Sequence, residues 1–128
     1  REKLLACTFP NSIFRLSESD YRKKMTQIYT SVSDGCMELQ NKVGNYKTDR
    51  AAIYTEKEAQ IKNILSQSPT AEEIKKMLSL VDLDINEFYA LYGEEKIRNA
   101  IAYAKDLKDR YSVLWLYYDL FGDNKNVQ

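Results

Sequence analysis

Apolar side chains recur along this chain at helical spacing. From Ser17 onward, Tyr21, Met25, Ile28, Tyr29, Val32, Cys36, Leu39 and Val43 follow one another at steps of mostly three and four. That spacing puts them on one face of an α-helix. The pattern predicts a single long helix, opened by an N-cap at Ser17 or Ser19, whose short side-chain oxygen takes an orphan backbone N–H. Gly44-Asn45 closes it, since both residues tolerate a left-handed C-terminus. Gly35 falls inside, at a cost of about 1 kcal/mol relative to alanine, and its small size would permit a neighbouring helix to come close.

A second helix is predicted from Thr48 or Asp49, with Ala52, Ile53, Ala59, Ile61, Ile64 and Leu65 toward a core and Gln67-Ser68-Pro69 as its stop. Thr70-Ala71-Glu72-Glu73 reads as a capping box opening a third helix. Ile74, Met77, Leu78 and Val81 follow at i, i+3, i+4 and i+7, as an inward stripe. Val81 to Asn86 reads as a polar turn, and Phe88 to Tyr92 as a short helical stretch closed by Gly93. From Glu94 to about Leu107 a further helix places Ile97, Ala100, Ile101 and Ala104 inward. The last begins at Ser112 as N-cap and presents Val113, Leu116, Tyr117, Leu120 and Phe121 before Gly122. Residues 1–16 read as a loop-rich lead-in, 17–122 as the helical core and 123–128 as a frayed polar tail. No strand pattern, repeat or linker interrupts the chain. The expected fold is all-α, a single helical domain of five to six mostly antiparallel helices.

Composition narrows the chemistry. The chain has 128 residues, 44% hydrophobic and 30% charged, which suits one globular domain. Lys+Arg and Asp+Glu are both 19, so the basic excess of a general nucleic-acid binder is missing. There is no run of roughly 18 apolar residues, so no membrane span is expected. Histidine is absent, which removes His-based triads, HExxH zinc sites and the usual proton shuttle. Cys7 and Cys36 can pair or stay free; two free thiols in a reducing cytoplasm is the simpler reading.

Neither GxGxxG nor GxxxxGK[ST] occurs, so no dinucleotide or phosphate cradle is expected. Glu72-Glu73 and Glu94-Glu95 sit in first helical turns, where negative charge complements the helix dipole. Asp82 and Asp84 lack EF-hand spacing. Ten tyrosines and Trp115 invite a base-stacking role, but Tyr21, Tyr29 and Tyr117 fall on core stripes. Cys36 lies in an apolar stripe with no histidine to activate it. One cluster differs: Asp106-Leu107-Lys108-Asp109-Arg110-Tyr111-Ser112 alternates acid and base at a helix junction. Arg110 can bridge Asp106 at i, i+4, or present its fork to an anionic ligand.

The stretch Ala100 to Leu116, running through Tyr103-Ala104-Lys105-Asp106-Leu107-Lys108-Asp109-Arg110-Tyr111-Ser112, resembles the C-terminal helices of the AraM-type glycerol-1-phosphate dehydrogenases. These belong to the iron-containing alcohol dehydrogenase and dehydroquinate synthase-like superfamily. The resemblance extends as pattern from Ser17 to Gly122, through Leu39 to Tyr46 and Ile74 to Leu80. Lys108 replaces the usual Arg, Ser112 the usual Thr, and Trp115 a frequent acidic residue; Asp84-Ile85-Asn86-Glu87 lacks the usual proline. The resemblance implies an oxidoreductase parent that interconverts dihydroxyacetone phosphate and sn-glycerol 1-phosphate with NAD(P) and a divalent metal, Zn or Ni.

The family's metal ligands, an Asp and two His, and its Gly-rich turn have no counterpart here, so no catalytic, cofactor or metal residue is assigned. The signature residues Tyr103, Asp106, Asp109, Arg110, Tyr111 and Ser112 are expected to brace the fold or line a cleft. On this reading the chain, which opens on Arg1, is the distal part of a longer cytoplasmic protein and inactive alone. Its partners would be an N-terminal nucleotide-binding domain and a second copy in a homodimer. The competing reading is a free-standing helical module whose tyrosine-rich face binds a protein.

Overall fold

A computed structural model of the chain describes residues 1–123, and among them the fold is all-α, with no strand. The lead-in is more ordered than its sequence suggests. Glu2–Ala6 forms a short helix, α1, that buries Leu4 against Tyr54 and Leu116. Arg1 ties it down by donating to the carbonyl oxygens of Ser66 and Ser68. Residues 7–16 then strap across the core: Phe9 is buried, and the Phe14 amide donates to the Asp119 carbonyl at 2.7 Å.

The long helix predicted from Ser17 is two helices, α2 (Glu18–Tyr29) and α3 (Ser33–Val43), separated by a 3-10 turn at Thr30–Val32. Ser17 caps α2 as expected, accepting from the Asp20 amide. The break falls in a Thr-Ser-Val-Ser run, where β-branching and hydroxyls compete with the helix ladder. Ser33 Oγ donates to the Thr30 carbonyl, and Thr30 sits at φ 45. The break resets the buried face, so Val32 is 57% exposed while Met25, Cys36, Met37 and Gln40 are buried. Gly44, at φ 76, ends α3. Gly35 is exposed and a Cβ there would meet nothing within 4 Å, so the expected close helix approach does not occur.

Helix α4 (Ala51–Ser66) buries Ala51 and Tyr54 and half-buries Ile61 and Leu65. The expected inward positions Ala52, Ile53, Ala59 and Ile64 face solvent, because only one side of this helix meets the body. Helix α5 (Ala71–Ser79) opens with the predicted capping box: the Glu73 amide donates to Thr70 Oγ1 and the Thr70 amide to Glu73 Oε2. Its stripe is not core, since Ile74, Met77 and Val81 are all exposed. After a turn with Asp82 at φ 55, Asp84 caps α6 (Ile85–Tyr103). Gly93, at φ 75 and ψ 156, breaks that helix where the sequence placed a stop.

The inner half of α6 buries Ala102 and Tyr103, half-buries Ile97, Ile101 and Ala104, and leaves the expected inward Ala100 exposed. A 3-10 turn, Ala104–Leu107, carries the chain into α7 (Val113–Phe121). Ser112 precedes α7 as foreseen, though its side chain makes no cap bond. Helix α7 is the keel of the body. Tyr118 joins one core cluster with Met25, Met37, Ala102 and Tyr103, while Leu116 joins the other with Leu4, Phe9 and Tyr54. Val113, expected inward, is 50% exposed. Gly122 has φ 69, and a Cβ there would lie 2.9 Å from the Phe14 ring, so both backbone and packing require glycine. Asp123 is anchored rather than frayed: it accepts from the Tyr103 hydroxyl and pairs with Lys24. The remaining tail positions, 124–128, lie outside the described residues.

Candidate functional site

The signature segment folds into the middle of the body and divides. Tyr103 and Asp106 are completely buried, Ser112 is half-buried, and Asp109, Arg110 and Tyr111 are exposed. The division follows from the backbone. The 3-10 turn ends at Leu107 and Lys108 is extended, so the i, i+4 geometry linking Asp106 to Arg110 does not exist. Asp106 turns inward, and Arg110 makes no hydrogen bond or ion pair with the described residues. The expected bridge is replaced by a buried one.

That buried centre is Lys105 with Asp106. Lys105 Nζ lies 2.6 Å from Asp106 Oδ2 and donates to the Tyr46 hydroxyl at 2.7 Å. Asp106 Oδ1 accepts from the hydroxyls of Tyr46, at 2.8 Å, and Tyr21, at 3.2 Å. Four rings surround the ammonium, with centroids at 3.8 Å for Tyr118, 4.5 Å for Trp115, 4.9 Å for Tyr46 and 5.0 Å for Tyr103. The negative ring faces and the carboxylate together replace the water the ammonium has lost. Burial still dominates and pushes the Lys105 pKa down to about 8, against the opposing pull of Asp106. Burial, reinforced by the Asp106 charge, pushes the hydroxyls of Tyr21 and Tyr46 well above the usual tyrosine range. Gln40 secures the junction by donating to the carbonyls of Asp106 and Lys108 at 3.0 and 2.9 Å.

A second buried carboxylate, Asp119, sits on α7. It accepts from Arg15 at 2.8 Å, from Arg50 at 3.4 Å and from the Tyr54 hydroxyl at 2.5 Å. Tyr54 shares a hydrogen bond with Tyr111, and the Arg50 guanidinium lies over the Tyr111 and Trp115 rings. The two arginines thus fasten the strap and the start of α4 to α7. Sequence reading passed over Lys105 and Asp119 as centres. One signal was available for Asp119: it is the sole charge in the apolar run Val113–Phe121, and a carboxylate there must be paired.

These centres hold elements together. The side chains of Lys105, Asp106 and Asp119 have zero exposure, so no substrate reaches them in this conformation. Among the described residues no group of three or more His, Cys, Asp or Glu converges as a metal site. No strand leads into a glycine-rich turn among the described residues. Cys7 and Cys36 are unpaired thiols, both raised in pKa by burial. A shallow groove between α2 and α6, about 510 Å³, is lined by Ile28, Tyr29, Glu95, Lys96 and Asn99 among others. No described helix is long and apolar enough to cross a membrane. Comparison with protein-family models, with curated proteins and with solved structures finds no match to this chain.

Proposed function

We propose that this chain is a structural, partner-completed helical segment of the kind that ends glycerol-1-phosphate dehydrogenases, acting in the cytoplasm and carrying no catalytic group of its own. The observation that carries this reading is the placement of the signature. Of its residues, Tyr103 and Asp106 are sealed in the core, Asp106 with its neighbour Lys105 in the aromatic cage, where the pair fixes the turn after α6 against α2, α3 and α7. A segment that spends its buried charges in this way contributes shape and rigidity, and leaves hydride transfer and metal binding to residues elsewhere. The exposed Asp109 and Arg110 would form a cleft wall beside Tyr111, which Tyr54 and Arg50 hold in place.

The test is complementation. A glycerol-1-phosphate dehydrogenase truncated before the stretch matching Ser17 to Gly122 is mixed with this chain and assayed for dihydroxyacetone phosphate reduction. Restored turnover supports the reading. Calorimetry on the chain by itself is expected to show no tight binding of NADH, Zn²⁺ or Ni²⁺, and micromolar NADH binding overturns it. One observation favours the second reading, a free-standing interaction module: the apolar stripes of α5 and outer α6 have no cover. No turnover in the complementation assay, combined with capture of a protein by those stripes, would favour that module.

A further inference from the structure

The arm formed by α5 and the outer half of α6, residues 71–92, leaves the body with its apolar faces uncovered. Nine large apolar side chains between Ile74 and Tyr92 are 44% to 77% exposed. They include two stripes at helical spacing, Ile74 and Met77 on α5 continued by Val81 in the turn after it, and Phe88, Tyr89 and Tyr92 on α6. Single exposed apolar side chains are ordinary on a monomer, whereas grouped ones mark an interaction surface, and these nine crowd the stretch from Ile74 to Tyr92.

Its charge selects the occupant. Glu72, Glu73, Asp82, Asp84 and Glu87 stand against Lys75 and Lys76, so the arm is three charges negative in a chain with zero net charge. Asp82 and Asp84 line the elbow between the stripes, in a groove of about 500 Å³ that also includes Leu83, Ile85 and Lys75, and that groove remains negative on balance. A second copy would bring the same carboxylates, setting like charges face to face. We infer that the arm receives a basic amphipathic helix of a partner protein, its apolar face on the two stripes and its Lys or Arg residues beside the elbow carboxylates. This goes beyond the dehydrogenase-like reading and does not rest on it.

The test is fluorescence polarisation with two labelled synthetic helices that share one apolar face and differ only in flanking charge, Lys/Arg in one and Glu in the other. The basic helix is expected to bind in the micromolar range, about tenfold more tightly than the acidic one, with a preference that shrinks as salt rises. Met77→Gln with Phe88→Gln removes apolar area at constant charge and is expected to abolish binding. Asp82→Asn with Asp84→Asn keeps the turn and the cap, since asparagine suits both positive φ and the N-cap position. That variant is expected to bind both helices alike. Unchanged near-ultraviolet circular dichroism verifies that the variants are folded. Equal affinity of the unmodified chain for the two helices, or no binding of either, overturns the inference. So does sedimentation velocity showing self-association that the Met77/Phe88 variant abolishes. The complementation assay reads a different quantity, so the two ideas fail separately.

Discussion

Lys105 and Asp106, adjacent in sequence, form an ion pair of 2.6 Å in which neither side chain is exposed to solvent. Neighbours on a regular helix point about 100° apart. On the 3-10 turn at Ala104–Leu107 they point about 120° apart, so the pair forms only because both side chains bend into the same aromatic cage. Breaking such a pair from one side costs more than the pair contributes, since the remaining charge stays buried.

Lys105→Met should therefore lower unfolding free energy by about 3 kcal/mol. Lys105→Met combined with Asp106→Asn should lie nearer the unmodified chain than the single Lys105 variant does. Urea denaturation of the three proteins checks this, and equal loss in both variants would refute it.

The same pair sets a pH dependence. Folded Lys105 gives up its proton near pH 8, against an ordinary value of 10.5. Between those values the unfolded chain binds more protons, so Lys105's contribution to stability rises with pH across that window. Opposing groups act in the same range. The Cys7 and Cys36 thiols, raised above their ordinary 9.0, and the buried tyrosines, of which Tyr29 is pushed up to about 12, hold protons longer in the fold. Their contributions fall as pH rises above those ordinary values. The difference between the unmodified chain and Lys105→Met isolates the lysine. It should widen from pH 8 to 10.5, and parallel stability profiles would refute the assignment.

Arg110→Ala should leave the thermal midpoint unchanged, within about 0.5 kcal/mol of stability, because an exposed side chain without partners has nothing to lose. A larger drop would mean that Arg110 braces the junction after all.

Thr70→Ala should act locally. The capping box holds the start of α5, and of that helix only Leu78 is even partly buried. Amide exchange in α5 is expected to speed up several-fold while the global midpoint stays put. A fall in the midpoint would show that the arm is packed onto the body in solution.

The helical class, the capping box at Thr70 and the stops at Gly44 and Gly93 were legible in the chain, because each depends on side chains a few residues apart. Apolar periodicity likewise located the helical stretches from Ser17 onward, though it ran α2 and α3 together. It could not say which stripes would be covered: Met25 and Ile74 sit in equally good helical patterns, yet one is fully buried and the other exposed. Coverage depends on which helices meet, and that is decided by contacts far apart in sequence, such as Tyr29 with Tyr103 and Arg15 with Asp119. Tertiary structure turned Asp106 away from Arg110 and toward Lys105, Tyr21 and Tyr46, because a buried carboxylate needs charge and hydrogen-bond partners to replace its lost water. Local spacing specified the helices; long-range desolvation decided which faces and which charges went inside.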